Sequence, residues 1–218
     1  MSLCKKTSTD VQRKIIFDLD GTFSSSFKCI DNIIISRWLF EKERASVKVL
    51  DRILWHFNNL DIFPNTTRML VLRLKLYTFL NGQTNYKEVM ARYKKQYVML
   101  TQICCDKNLE IIETLKNDYN YDIIVLSNNA FALDIKIPNV EIYSVRSKRK
   151  FLSVISEMFQ IDFFVGNNFL DDIMSARHAG VKSIYMGKSK LVYIFLKGMR
   201  KSYTANDLYE VLEIIKKV

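Results

Sequence analysis

From residue 108 to residue 186 the chain alternates short apolar runs with amphipathic stretches, and that rhythm restricts the fold more than anything else in it. The runs fall at 122–127, 140–143, 162–166 and 182–185, and the stretches 109–116, 150–159 and 172–179 place apolar residues at helical spacing. A run too short for a helix and apolar on both faces suits a strand buried in a parallel sheet. Strand and helix in strict alternation predict an α/β fold: a Rossmann-like parallel sheet with helices on both faces. Ligands of such sheets bind beyond the carboxyl ends of the strands, so chemistry is sought just after each run.

A further apolar run comes earlier. Residues 15–23 read Ile-Ile-Phe-Asp-Leu-Asp-Gly-Thr-Phe, a strand that ends in two acids one residue apart. Alternate side chains of a strand share a face, so Asp18 and Asp20 would lie together if the strand continued. Gly21 permits a sharp turn directly after them. An Asp-Gly hairpin turn is the alternative, but a hairpin needs no first acid. Two carboxylates at the end of a buried strand repel each other and lose hydration, which implies a cation or a reacting group beside them.

Between residues 24 and 104 the pattern is helical throughout, with helices expected at 31–40, 47–58, 66–80 and 85–103. Pro64 and the Asn81-Gly82 pair separate them. The expected organisation is an α/β core from residues 1–23 and 105–218, with an all-helical lobe, 24–104, inserted after the first strand.

Three other places carry polar residues at strand ends. Ser127 ends the apolar run at 122–127 and Asn128 follows it, where a short hydroxyl donor can aim at developing negative charge. Ser147-Lys148-Arg149-Lys150 precedes a helix, and spacing alone does not separate Lys148 from Lys150. Val165-Gly166-Asn167-Asn168-Phe169-Leu170-Asp171-Asp172 closes the strand at 162–166 with an amide, then two acids.

Asp18-Leu19-Asp20-Gly21-Thr22 after an apolar strand resembles the first motif of the haloacid dehalogenase (HAD) superfamily, most of whose members are phosphatases. The resemblance extends along nearly the whole chain and is weakest in the helical lobe. It implies that Asp18 is the nucleophile, Asp20 the general acid/base, and the main-chain carbonyl of Asp20 a magnesium ligand. An acid at position 20 favours phosphoryl transfer over dehalogenation. The resemblance makes Gly21, Thr22, Ser127 and Asn128 phosphate-binding, and makes Lys148 or Lys150 the cation beside the nucleophile. It makes Asp18, Asp20, Asn167, Asp171 and Asp172 the metal set, with the register of 176–180 favouring Asp172. Asn167 departs from the family, which usually has an acid straight after this glycine, so metal binding should be weakened. The helical lobe corresponds to a C1-type cap, and the spacing resembles the phosphoserine-phosphatase branch.

The implied activity is magnesium-dependent hydrolysis of a small phosphorylated metabolite. A catalytically impaired binding protein, suggested by Asn167, and a phosphatase of nucleic-acid ends, suggested only by charge, are the alternatives. The formal charge is +10, with basic residues gathered at 146–150 and 188–201, and would draw in phosphorylated ligands. No nucleic-acid motif accompanies it, so a solvated basic face is the simpler account and nucleic acid is disfavoured as a partner. Residues 191–196, flanked by Lys190 and Lys197, suit either a membrane surface or the core, and the core is favoured.

Cys4, Cys29, Cys104 and Cys105 form no framework, no segment reads as a signal peptide, and no apolar run suits a membrane span, so the cytoplasm is the expected location. His56 and His178 lack metal-ligand spacing and read as structural. Trp38, Trp55, Tyr77 and Tyr93 read as helix-packing residues of the lobe.

Overall fold

The computed structural model describes residues 12–24, 67–80, 82 and 85–218. The helices expected at 31–40 and 47–58, together with Trp38, Trp55, His56, Cys4, Cys29 and the side chain of Tyr77, lie outside the described residues.

Six strands form one sheet: β1 (Arg13–Asp18), β2 (Tyr121–Ser127), β3 (Glu141–Ser144), β4 (Gln160–Gly166), β5 (Lys182–Tyr185) and β6 (Ser202–Thr204). Every pairing is parallel, in the order β3-β2-β1-β4-β5-β6. The chain first builds outward from β1 to β3, then crosses back to lay β4 on the other side of β1. That reversal leaves a crevice at the carboxyl ends of β1 and β4, the ligand-binding position of doubly wound sheets.

Seven described helices accompany the strands: α1 (Thr67–Leu80), α2 (Tyr86–Asp106), α3 (Leu109–Asn117), α4 (Lys148–Met158), α5 (Met174–His178), α6 (Lys190–Leu196) and α7 (Leu208–Lys217). The alternation of strand side chains divides the core in two. Ile15 and Phe17 of β1 join Ile123, Val125, Phe163 and Val165 in packing against Ile111 and Leu115 of α3 and Val211 and Ile215 of α7. Ile16 points the other way, with Ile124, Leu126 and Phe164, onto Leu152 and Ile155 of α4 and Ala176 of α5. Helices therefore cover both faces, and β1, whose Ile15, Ile16 and Phe17 are fully buried, runs through the middle. Each such side chain contributes about 1.5–3 kcal/mol by leaving water.

Strand and helix positions agree with the sequence pattern to within two or three residues; the stretch at 172–179 becomes the short α5, preceded by a loose turn, Phe169–Ile173. β6 and α7 were not foreseen; β6 is three residues long and half-exposed, too short to stand out as an apolar run. α6 divides its side chains, burying Val192 and Leu196 against Ile173 and Tyr185 while Leu191, Ile194 and Phe195 stay exposed. Lys188, Lys190, Lys197, Arg200 and Lys201 around it are exposed. Among the described residues no helix is long and apolar enough to cross a membrane.

α2 runs unbroken across positions 104 and 105 and reaches the sheet region. Its Tyr93, Tyr97, Thr101 and Cys104 form one buried stripe at helical spacing, and Cys104 and Cys105 are buried free thiols. Asn85 caps its start by accepting from the Glu88 amide at 3.3 Å.

Candidate active site

Register gathers the polar strand ends. Asp18 pairs with Leu126, which puts Ser127 one step beyond it on β2, and Phe17 pairs with Val165, which sets Gly166 level with Asp18 on β4. β1 stops at Asp18. Leu19–Phe23 then make a loose helical turn in which Gly21 takes a φ of 82°, a left-handed conformation that favours glycine. Ser24 closes the turn by donating its hydroxyl to the Leu19 carbonyl at 2.8 Å. Asp20 is thereby lifted off the strand and into the turn, rather than sharing a strand face with Asp18.

Lys148 sits in the middle of the acids. It is the first residue of α4, placed by the Ser147 cap, and is 3% exposed. Its ammonium donates to Asp18 Oδ1 at 2.5 Å and to Asp172 Oδ1 at 2.7 Å, and lies 4.0 Å from Asp171 Oδ2. Lys150, two residues on, points from an exposed position. Asp172 is fully buried, and its other oxygen accepts from the Asn168 amide at 2.8 Å. Asp171 is held differently: Asn128 donates its side-chain amide to Oδ2, and the Asp171 amide donates to Asn168 Oδ1 at 2.9 Å.

Asp20 is gripped from two directions. Ser127 donates its hydroxyl to Oδ2 at 3.0 Å, and Tyr97 of α2 donates its phenol to Oδ1 at 2.6 Å. The Ser127 oxygen in turn accepts from the Asn129 amide at 3.0 Å. Thr22 donates weakly to Asp18 Oδ2 at 3.5 Å.

Two glycines allow this closeness. A Cβ on Gly166 would stand 2.4 Å from the Asp172 carboxylate, and one on Gly21 would stand 2.3 Å from the Asn167 amide nitrogen. Asn167 thus lies over the turn that carries Asp20. The structure brings together Asp18, Asp20, Gly21, Thr22, Ser127, Asn128, Lys148, Asn167, Asp171 and Asp172, and leaves Lys150 outside. His178 lies exposed on α5, its ring facing the Arg149 guanidinium at 3.1 Å. Sequence reasoning missed Tyr97 and Asn168. Tyr97 carried only a helix-core signal, since its partner is 77 positions away.

The electrostatics are unbalanced. Burial pushes the Asp18 carboxyl well above the usual carboxylate range, and Asp172 and Asp20 add to this against the pull of Lys148. Burial likewise raises Asp171, with Asp172 adding and Lys148 and Asn128 opposing. Burial alone would lower the Lys148 ammonium, but Asp172, Asp18 and Asp171 outweigh it and hold it protonated. Three acids, Asp18, Asp171 and Asp172, surround that ammonium, which carries a single positive charge. Carboxylate oxygens such as those of Asp18, Asp171 and Asp172 are the hard donor type that suits magnesium. Among the described residues no three acid, histidine or cysteine side chains converge as a metal cage, Lys148 itself bridging Asp18 and Asp172.

No protein-family model matches the chain, and no curated protein sequence is significantly similar to it. Solved structures are similar in fold. The magnesium-bound HAD-hydrolase YfnB of Bacillus subtilis superposes with a TM-score of 0.55 at 14% identity, over 95% of this chain and 100% of that one. A HAD phosphatase of Thermococcus onnurineus gives 0.48 at 17% identity, over 93% and 97%. A 2-haloacid dehalogenase of Pseudomonas syringae pv. Tomato DC3000 gives 0.45 at 13%, over 95% and 99%. The fold assignment rests on the first of these and on the sheet order described above.

Proposed function

We propose that this chain, which has the fold of the HAD hydrolases, is a magnesium-dependent phosphatase that hydrolyses a small phosphate monoester through an aspartyl-phosphate. The observation that carries this reading is the buried Asp18 carboxylate at the end of β1, hydrogen-bonded at 2.5 Å to an ammonium that also holds Asp172. Asp18 is the nucleophile and Asp20, held on the adjacent turn, is the general acid/base. Lys148 neutralises the attacking carboxylate and then the transferring phosphoryl group. Lys150 stays in solvent.

The ester enters with its phosphoryl oxygens near Lys148, Ser127 and the amides of residues 21, 22 and 128. An Asp18 oxygen attacks phosphorus, the bond from phosphorus to the ester oxygen breaks, and Asp20 gives its proton to the departing alkoxide. Asp20, now a carboxylate, takes a proton from water as that water attacks phosphorus, and the bond to Asp18 breaks to release inorganic phosphate. For the first step Ser127 must turn its hydroxyl from Asp20 Oδ2 to the phosphoryl group. Asp18, the Asp20 carbonyl, Asn167, Asp171 and Asp172 are the residues that would hold magnesium, which supplies charge neutralisation for the transferring group. The segment 24–104 acts as the C1-type cap that selects the substrate, and the net charge of +10 favours phosphorylated ones.

The test is release of phosphate from p-nitrophenyl phosphate and a set of phosphorylated metabolites, with and without magnesium. Activity in the wild type that falls at least about 1,000-fold in Asp18→Asn supports the reading. Equal phosphate release by both proteins would overturn it.

A further inference from the structure

Tyr97 is buried to 1% exposure on α2, yet its hydroxyl reaches across to Asp20 Oδ1 at 2.6 Å. Its ring has little freedom. Tyr93 stacks on it with centroids 6.1 Å apart, and Phe131, in the turn after β2, packs against both rings. Lys94 ties the same helix to that turn through Asp134 at 2.7 Å. A phenol fixed this way presents its proton in one place, at the distance of a charge-assisted hydrogen bond. Ser127 holds the other Asp20 oxygen, but the serine is a small rotor on a strand end, needed elsewhere once a phosphoryl group arrives.

We infer that Tyr97 is a positioning residue for the proton transfer: it pins Asp20 Oδ1 throughout the cycle, so that Oδ2 is the atom that gives the proton to the leaving oxygen and later takes one from water. This rests on the phosphatase reading above. The helix carrying Tyr97 begins at residue 86, in the segment assigned to the cap, so the same contact ties the acid/base to the lobe that selects the substrate. No bond to phosphorus involves Tyr97, and its phenol keeps its proton.

The test is a leaving-group comparison in Tyr97→Phe, which keeps the ring stack and removes only the hydroxyl. The kcat/KM value covers steps up to cleavage of the ester bond. An aliphatic phosphate monoester needs its leaving oxygen protonated, whereas p-nitrophenolate departs with little help. The expected result is a loss of roughly 30- to 100-fold on the aliphatic ester and less than about threefold on p-nitrophenyl phosphate. In an Asp20→Asn background, the same substitution should produce no further selectivity. Equal losses on both esters, or no loss on either, overturn the inference, since a merely structural hydroxyl does not discriminate between leaving groups. Tyr97→Met, which fills similar volume without a donor, repeats the comparison if the phenylalanine variant melts early. A wild type inert toward both esters overturns the phosphatase reading itself, and with it this role.

Discussion

Lys148 and Lys150 show how much a helix start decides. Two lysines two residues apart have equal chemistry and nearly equal sequence context. On α4 they diverge because positions i and i+2 point to different sides of a helix. Lys148 is buried between Asp18 and Asp172, and Lys150 lies exposed. Lys148→Ala leaves buried carboxylates without their cation and should cost about 3–5 kcal/mol of stability together with the activity. Lys150→Ala should stay within about 0.5 kcal/mol and keep near wild-type kcat/KM. Urea melts and phosphate release on the two variants measure both, and a reversed order would place the functional cation wrongly. The two adjacent acids separate for a similar reason. Asp172 is fully buried and 2.7 Å from Lys148, while Asp171 is 4.0 Å away and held by Asn128. Tyr97 was not legible at this scale at all. Its neighbours in sequence say only that it faces a core, and nothing local names Asp20 as its partner.

At the level of elements, legibility follows side-chain periodicity. β1, β2 and β4 are apolar on both faces because helices cover both sides of the sheet, so each stood out as a continuous run. β3 and β6 lie at the two edges, β3 alternating between half-buried and exposed and β6 only three residues long, and gave a weak signal or none. Only residues 172 and 173 of the helix expected at 172–179 fall in the loose turn at 169–173. The Asn168 side chain and the buried Asp172 hold it in a different shape. α7 escaped notice despite a clear amphipathic face, yet its start is well specified. Asp207 accepts from the Glu210 amide at 2.9 Å, and Glu210 reaches back to accept from the Asn206 amide at 2.9 Å. Asp207→Ala should therefore cost about 1 kcal/mol, a fall of roughly 2–4 °C in Tm. Because α7 packs beneath the sheet on Val211 and Ile215 and contributes nothing to the cluster around Lys148, activity measured well below Tm should not change.

Across the whole molecule, the sheet has polar chemistry at both ends, and the end opposite the site carries its own pH-sensitive pair, Asp162 and Tyr121. Arg13 of β1 and Tyr121 of β2 both donate to Asp162 of β4, the phenol at 2.9 Å, and Gln160 donates to its other oxygen at 3.0 Å. The Arg13 guanidinium also lies 4.6 Å over the Tyr121 ring. Three central strands are thus laced together at their amino ends. Burial works to raise the Asp162 carboxyl, but the hydrogen bonds from Gln160, Tyr121 and Arg13 and the Arg13 charge outweigh it and lower it. A lowered carboxyl adds stability that is complete above its unfolded value and disappears as pH falls through the folded one. Tyr121 behaves in the opposite sense. Burial first, then the hydrogen bond to Asp162 and its negative charge, push the phenol from 10.0 up to about 12. Between those values the folded chain keeps a proton that the unfolded chain has released, so stability falls as pH rises from 10 to 12. Tyr121→Phe loses the hydrogen bond, about 1–2 kcal/mol at neutral pH, and with it this alkaline slope. Melting curves at steps through that window should therefore converge, the wild type losing its advantage as pH climbs. Other tyrosines and lysines titrate in both proteins and cancel in the difference. Two parallel curves would mean that the Tyr121 proton is not held by the fold. Asp162→Asn supplies the acid counterpart, flattening the loss of stability at low pH while leaving the alkaline arm less steep, because the charge that raises Tyr121 has gone.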